Sequence, residues 1–333
     1  MFDLAITIED IARSAQTSKS TVSRYLNGGS VSRQKATCIE KVILQLGYQP
    51  NMNARRLVSS STKAIGVVFD DISDYIYGEM IAGISSAAAS HGYSCVFLSR
   101  AQGEKESDYL YLFAASMVDG LISVTFRARD PEDVKKLKAS GKPVVLVGES
   151  ANMTGIATVD VDNQTGTQMQ ISHLIEQGHR RIAYLQGPDT MPAARSRLRG
   201  YLKALEAANI QQDDQLIRKI AWTAKDAYLV AGQLLKEQDF TAMAVSNAYA
   251  AYGALLAILD AGLKVPQQMA LAGFDEAPIC ELSRPSITTL RQPHGRIGQI
   301  ATDLIIQQIR EGQVNVSSTY VLPTLIMRES TQR

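Results

Sequence analysis

Few of the residue types that build catalytic and metal centres occur in this chain. Its four histidines, His91, His173, His179 and His294, show no metal-ligand spacing. The cysteines, Cys38, Cys95 and Cys280, are odd in number and too scattered for a disulfide framework, which predicts a reducing, cytoplasmic setting. No apolar run approaches the roughly 18 residues that would suggest a membrane span. The first ten residues, MFDLAITIED, are acidic and lack the charged-then-apolar order of a secretion signal. Neither G-x-S-x-G, a P-loop nor G-x-G-x-x-G stands where its chemistry would need it. The expectation is a chain with no catalytic residues, no cofactor, no metal and no membrane partner.

What is present is an asymmetry of charge. Over all 333 residues, 34 Lys and Arg nearly balance 33 Asp and Glu. Residues 1–63, however, hold nine basic and four acidic side chains (net +5), and the remainder holds 25 and 29 (net −4). A basic head on a mildly acidic body is the pattern of a nucleic-acid reader, although a surplus on a solvated helical surface also fits it. The length suggests two or three units, and the 45% apolar content fills a real core.

Within the basic head, TIEDIARSAQTSKSTVSRYL (7–26) reads as two short helices with a polar break. Thr7 caps the first, with Asp10 in a capping-box position, and Ile8, Ile11, Ala12 and Ala15 form its apolar face. Ser18 caps the second, whose Val22, Tyr25 and Leu26 face inward while Lys19, Ser20, Ser23 and Arg24 face out. In a helix-turn-helix those outward residues meet base edges and phosphates in the major groove. On pattern alone an ordinary helical hairpin fits equally well. A third helix follows, capped by Ser32, with Cys38, Ile39, Val42, Ile43 and Leu46 on its apolar face and Gly47 at its end. Pro50 bars helix before Asn51, which caps a short helix through Leu57, and Ser59–Thr62 reads as a linker. So short a helix is marginal alone. It serves either as a plain tether or as a hinge that folds on DNA with Leu57 wedged into a base step.

The helix pair, the G-Y-x-P-N junction (47–51) and ARRL (54–57) together resemble the headpiece of the lactose-repressor/galactose-repressor (LacI/GalR) family of bacterial transcription regulators. That resemblance continues through nearly the whole chain to LPTLIMRES (322–330). It implies a sequence-specific repressor that binds palindromic, double-stranded operator DNA as a homodimer, a tetramer being also compatible. By the same resemblance, DNA contacts fall to Thr7, Ser18, Lys19, Ser20, Thr21, Ser23, Arg24 and Asn27 in the head, and to Asn51, Ala54, Arg55 and Leu57 in the hinge. One departure is Gln16-Thr17 where the family has Gly-Val, since glutamine resists the positive φ that glycine tolerates.

From Ala64 onward, short apolar strands (64–69, 93–99, 119–124, 143–148, 156–161, 180–187, 214–222, 241–246, 268–274) alternate with helical stretches, including SDYLYLFAASM (107–117). Such alternation implies βαβ units in two successive α/β halves with a ligand cleft between them. The fold class expected is an all-α helix-turn-helix headpiece plus an α/β periplasmic-binding-protein-like core of two doubly wound parallel-sheet lobes. The domains expected are 1–50 (DNA-binding), 51–63 (hinge and linker) and 64–333 (ligand-binding and dimerisation). The resemblance divides the last into lobe 1 (about 64–161 and 292–320) and lobe 2 (about 162–291 and 321–329).

Motif matches then assign the cleft. RLRGY gives Arg197, GFDE gives Asp275, the only tryptophan is Trp222, and TLRQP gives Gln292. DISDYIYGE (71–79) replaces a Pro-aromatic run and offers Tyr75 and Tyr77. In SNAYAAYG (246–253) Asn247 is kept, but Ala248 stands where the family has an Asp that binds ligand hydroxyls. That loss weakens a free neutral sugar and favours a modified, phosphorylated or aglycone-bearing one, unless the site has decayed. The expected effector is a small carbohydrate-type molecule. A protein co-effector is the alternative, and a solute-binding protein is what the body alone would permit. On this reading Arg197→Ala or Asp275→Ala abolishes the response and leaves the fold intact.

Overall fold

The computed structural model describes residues 6–26, 29–48, 61–72, 76–100, 103–125, 130–148, 155–312 and 316–332. The chain forms two compact units, Met1–Thr62 and Lys63–Arg333.

The first unit packs α1 (Ile8–Ser14), α2 (Lys19–Leu26) and α3 (Arg33–Leu46) around Ile11, Val22, Ile39, Val42 and Tyr48. A capping box starts α1: Asp10 N donates to Thr7 Oγ1 at 3.3 Å, and Thr7 N donates to Asp10 Oδ2 at 2.9 Å. Gln16 takes a left-handed φ of 48° in the turn before α2, and Gly47 closes α3 at φ 62°. Two details differ from expectation. Ser32 occupies the cap position of α3, yet its hydroxyl makes no cap hydrogen bond. Cys38 is exposed, one helical step off the stripe set by Ile39 and Val42.

The second unit begins with β1 (Ala64–Phe69), α4 (Tyr77–Ser90), β2 (Ser94–Ser99), a 3-10 turn (Glu106–Leu110), α5 (Tyr111–Ala114), β3 (Gly120–Val124), α6 (Pro131–Ala139), β4 (Val144–Val147) and β5 (Ala157–Val161). Then follow α7 (Asn163–Glu176), β6 (Ile182–Gln186), α8 (Pro192–Ala207), β7 (Ile217–Lys219), α9 (Ala224–Glu237), β8 (Ala242–Val245), α10 (Ala248–Asp260), β9 (Ala270–Ala272), α11 (Pro278–Leu282) and β10 (Thr289–Arg291). The last elements are α12 (His294–Glu311), β11 (Ser318–Val321) and β12 (Thr324–Ile326).

Six strands form one parallel sheet in the order β11-β5-β4-β3-β1-β2, and four form another in the order β7-β6-β8-β9. Both are doubly wound. Ile65, Val67 and Phe69 pack under α4 and α12, while Ala64 and Val68 face Leu112, Val134 and Leu137 on the opposite side. In the second sheet Ala183 and Leu185 pack on α9 and α10, and Ile182 and Tyr184 on α7 and α8. Each fully buried aliphatic side chain contributes about 1.5–3 kcal/mol, which makes these four layers the bulk of the core. Strand order reverses between β1 and β3 and again between β6 and β8, and such switch points are where open α/β sheets bind ligands.

The chain crosses between the sheets three times: after β5, after β10 and between β11 and β12. Strands β10 and β12 pair antiparallel as a separate ribbon. Among the stretches read as regular elements, two are cut short by turns. The helix expected over 107–117 is only a 3-10 turn and one α turn, because Ser116 takes φ 49° and Met117 N closes onto Leu112 O at 2.8 Å. The strand expected over 214–222 is only Ile217–Lys219, preceded by a 3-10 turn capped by Asp213.

Candidate functional site

In the first unit, Ser18, Lys19, Ser20 and Arg24 are exposed, and Thr21 and Ser23 are half-buried. The Ser18 hydroxyl accepts from Thr21 N at 3.1 Å and so caps α2. Lys19 Nζ lies 2.6 Å from Glu9 Oε1, with both side chains about two-thirds exposed. The ammonium holds the Glu9 carboxyl below the ordinary carboxylate range. Exposed pairs of this kind are weak and exchange readily for another anion such as a phosphate. Thr7 is exposed, its hydroxyl spent on capping α1. Asn27, Asn51, Ala54, Arg55 and Leu57 lie outside the described residues, as does Tyr75.

The second unit gathers five of its expected ligand residues around one buried ion pair. Arg197, on α8, is 4% exposed, and Asp275, just past β9, is 8% exposed. Arg197 Nη2 lies 3.2 Å from Asp275 Oδ1 and Nη1 lies 3.4 Å from Oδ2. Arg197 Nε donates to Asn163 Oδ1 at 2.8 Å. Its guanidinium carbon stands 3.6 Å from the Phe274 ring centroid and 5.3 Å from that of Trp222. Such stacking suits a planar, weakly hydrated cation. Asn247 Nδ2 donates to Asp275 Oδ2 at 3.3 Å, while its Oδ1 caps α10 through Ala250 N at 3.2 Å. Gln292 Nε2 donates to Asp275 Oδ1, and the Thr289 hydroxyl donates to the Asp275 carbonyl.

Trp222 packs against the backbone of Gly187. A Cβ on Gly187 would fall 2.2 Å from the indole, so only glycine permits that approach. The indole Nε1 donates to Ser246 Oγ at 2.8 Å. Ala248, where an acid was expected from the family, is fully buried at the first turn of α10.

Asn163 and Ser246 escaped the sequence reading. Their only local signal is a polar residue just past a strand's carboxyl end. Asn163 follows β5 of the first sheet, so its bond to Arg197 brings the carboxyl ends of both sheets together. A second missed cluster stands at the first sheet's switch point. Asp70, past β1, pairs with Arg100, past β2, and accepts from the Thr125 hydroxyl, past β3. The two charged side chains are only 13% and 15% exposed. Tyr77 lies in the apolar core under α4. It is 2% exposed, its ring centroid 4.6 Å from that of Phe69. The position at the first turn of α4 turns the ring inward.

The geometry also corrects the expected outcome of truncating the pair. Arg197 and Asp275 are buried and each is the other's main counter-charge, so removing either one strands a charge and costs stability. Among the described residues, no group of three His, Cys, Asp or Glu could hold a metal, and no helix is long and apolar enough to cross a membrane.

Residues 7–51 match the family model described as bacterial regulatory proteins, lacI family, and residues 171–331 match a periplasmic binding protein-like domain. The HTH-type transcriptional repressor CytR of Escherichia coli (strain K12) is 32% identical over 333 residues, spanning 99% of this chain and 97% of that protein. The crystal structure of the Lac repressor dimer bound to operator and the anti-inducer ONPF aligns with a TM-score of 0.87 at 29% identity, over 99% of this chain and 100% of that one. The complex of the regulator CelR with cellobiose aligns at 0.72 and 27% identity, over 98% and 99%. Likeness of this extent, from end to end, makes the chain a member of the lacI family of bacterial regulatory proteins.

Proposed function

We propose that this chain is a cytoplasmic transcriptional repressor, without enzymatic activity, that binds a palindromic operator as a homodimer and is controlled by a small carbohydrate-type effector. The observation that carries the reading is the buried Arg197–Asp275 pair, ringed by Asn163, Asn247, Gln292 and Trp222 where the two sheets' carboxyl ends meet. The operator-bound Lac repressor and the cellobiose-bound CelR support the two halves of the reading. In the head, Lys19, Ser20 and Arg24 are the side chains offered to base edges and phosphates.

Arg197 is already matched by Asp275, so a phosphate entering here would find no uncompensated cation on it. Both Asp275 oxygens already accept two bonds each, from Arg197, Asn247 and Gln292, and the hydroxyls of an uncharged sugar suit a neutral-for-neutral exchange with the Asn247 and Gln292 amides. From the first lobe, we assign to the same ligand the Asp70–Arg100–Thr125 cluster at the carboxyl ends of β1, β2 and β3. A protein co-effector is the remaining alternative within the family.

Two measurements test the reading. Anisotropy of a labelled promoter duplex against a scrambled one, across a salt series, should separate specific from electrostatic binding. Equal affinity for both duplexes at every salt concentration would defeat operator recognition. Trp222, the only tryptophan, reports on the effector site: cellobiose, other mono- and disaccharides and their phosphates are titrated against its emission. A response confined to the phosphates would defeat the uncharged-sugar assignment.

A further inference from the structure

Arg328 follows β12 by two residues and grips the loop that holds Asp275. Its Nη2 lies 2.6 Å from Glu276 Oε1 and its Nη1 lies 3.2 Å from Oε2, a fork-on-fork pair only 12% and 16% exposed. Nη1 also donates to Ile287 O at 3.0 Å. The backbone of Arg328 is tied to the same segment, its N donating to Thr288 Oγ1 at 2.8 Å. Two residues on, Ser330 joins the edge of β9: Leu271 N donates to Ser330 O at 2.9 Å, and Thr288 N donates to Ser330 Oγ at 2.8 Å.

The residue beside Glu276 is Asp275, whose φ of 69° is left-handed. A non-glycine residue holds that conformation only when its surroundings over-determine it. Here the Thr289 hydroxyl fixes the Asp275 carbonyl, and the Glu276–Arg328 fork fixes the next residue. Thr289 opens β10, and Arg328 stands just beyond β12; these paired strands are two of the three crossings between the lobes. One guanidinium therefore joins the crossing ribbon to the loop that aims a carboxylate at Arg197, Asn247 and Gln292.

We infer that Arg328 is a positioning residue of the effector site, holding Asp275 in register through Glu276 and relaying movement of that loop to the β10–β12 ribbon. The inference rests on the Arg197–Asp275 cluster being the effector site. An effector that draws on the Asp275 carboxylate then loads Glu276 and Arg328, and through them the strands between the lobes.

The test uses the full-length protein with Arg328→Lys, which keeps the charge and loses the fork, and Glu276→Gln, which keeps the shape and loses the charge. Hydrogen exchange is followed at 273–277 and, as a folding control, at β1, β3 and β4, together with Trp222 emission. Both variants should exchange at least tenfold faster at 273–277 and shift Trp222 emission to the red, with the control strands unchanged. Affinity for whichever saccharide moves Trp222 emission in the parent should also fall at least tenfold. A lower melting temperature with parental exchange at 273–277 and parental emission would make Arg328 a structural pin and overturn the inference. Should Arg328→Lys not fold, Glu276→Gln decides by the same readouts. If the parent responds to no saccharide, the effector reading fails, while exchange and emission still decide whether Arg328 positions Asp275.

Discussion

Gln16 holds the turn between α1 and α2 at φ 48°, a conformation that costs a residue with a Cβ about 1–2 kcal/mol. Glycine escapes that cost but gives back about 0.5–1 kcal/mol of chain entropy. Gln16→Gly should therefore stabilise the first unit by roughly 0.5–1 kcal/mol. Slower native-state exchange of the α1 and α2 amides would show it; unchanged or faster exchange would mean that the glutamine is not strained. In the effector cluster the stakes are larger. Arg197→Ala leaves Asp275 buried without its main counter-charge, at a cost of about 3–5 kcal/mol. The urea midpoint of the variant should fall accordingly, and a parental midpoint would contradict the burial of the pair.

Helices pair closely because glycines let backbones touch. A Cβ on Gly83 of α4 would lie 2.1 Å from Gly295 O of α12, and one on Gly253 of α10 would lie 2.0 Å from Ala224 O of α9. Backbone cannot swing aside as a side chain can, so Gly83→Ala should cost more than the roughly 1–3 kcal/mol usual for overpacking. Gly232, mid-helix in α9, is the internal control, for nothing lies within 4 Å of its added Cβ. Gly232→Ala should gain up to about 1 kcal/mol from helix propensity alone. Melting temperatures of the two variants should move in opposite directions, and movement in the same direction would refute the packing argument.

Elements of this kind were largely legible beforehand. AIGVVF and PVVLVG are apolar runs between turn residues, and α3 ends at a glycine in the expected conformation. Less legible were partnerships between distant residues. Nothing periodic ties Asn163 to Arg197, or Asp70 to Arg100, and burial of such pairs is decided only once the sheets assemble. The helix α6 was missed, although Asp130 caps it and Pro131 opens it, because nine mostly charged residues carry little apolar pattern. Tyr77 misled because an aromatic beside a cleft-type loop looks the same in sequence whether its ring turns inward or outward.

For the whole molecule, pH acts through a buried histidine. His173 on α7 is 6% exposed, with Nε2 2.8 Å from Thr331 Oγ1, and burial pushes its pKa below the ordinary 6.5 while Glu176 opposes the shift. The folded state therefore favours neutral imidazole, and the unfolded chain binds more protons just below pH 6.5. Stability from this group is complete above that pH and is lost as pH falls through the folded-state value. Asp189 and Glu329, whose carboxyls are lowered by Lys219 and by Ser286, lose theirs in a more acidic range. Urea midpoints should fall between about pH 7 and pH 5, and fall less in His173→Gln. An equal fall in parent and variant would remove His173 as the cause.

The crossings also set an order of assembly on the ribosome. The first unit is complete in its own residues and can fold as soon as it clears the exit tunnel. Neither sheet of the second unit can: the first awaits α12 and β11, and the second awaits Arg328–Ser330. Until Arg328–Ser330 have been read, a nascent copy carries its head on an open body. Messages cut short before codon 328 should yield little surviving protein, and any fragment that does persist will be the head, detached from whatever signal the body was built to receive.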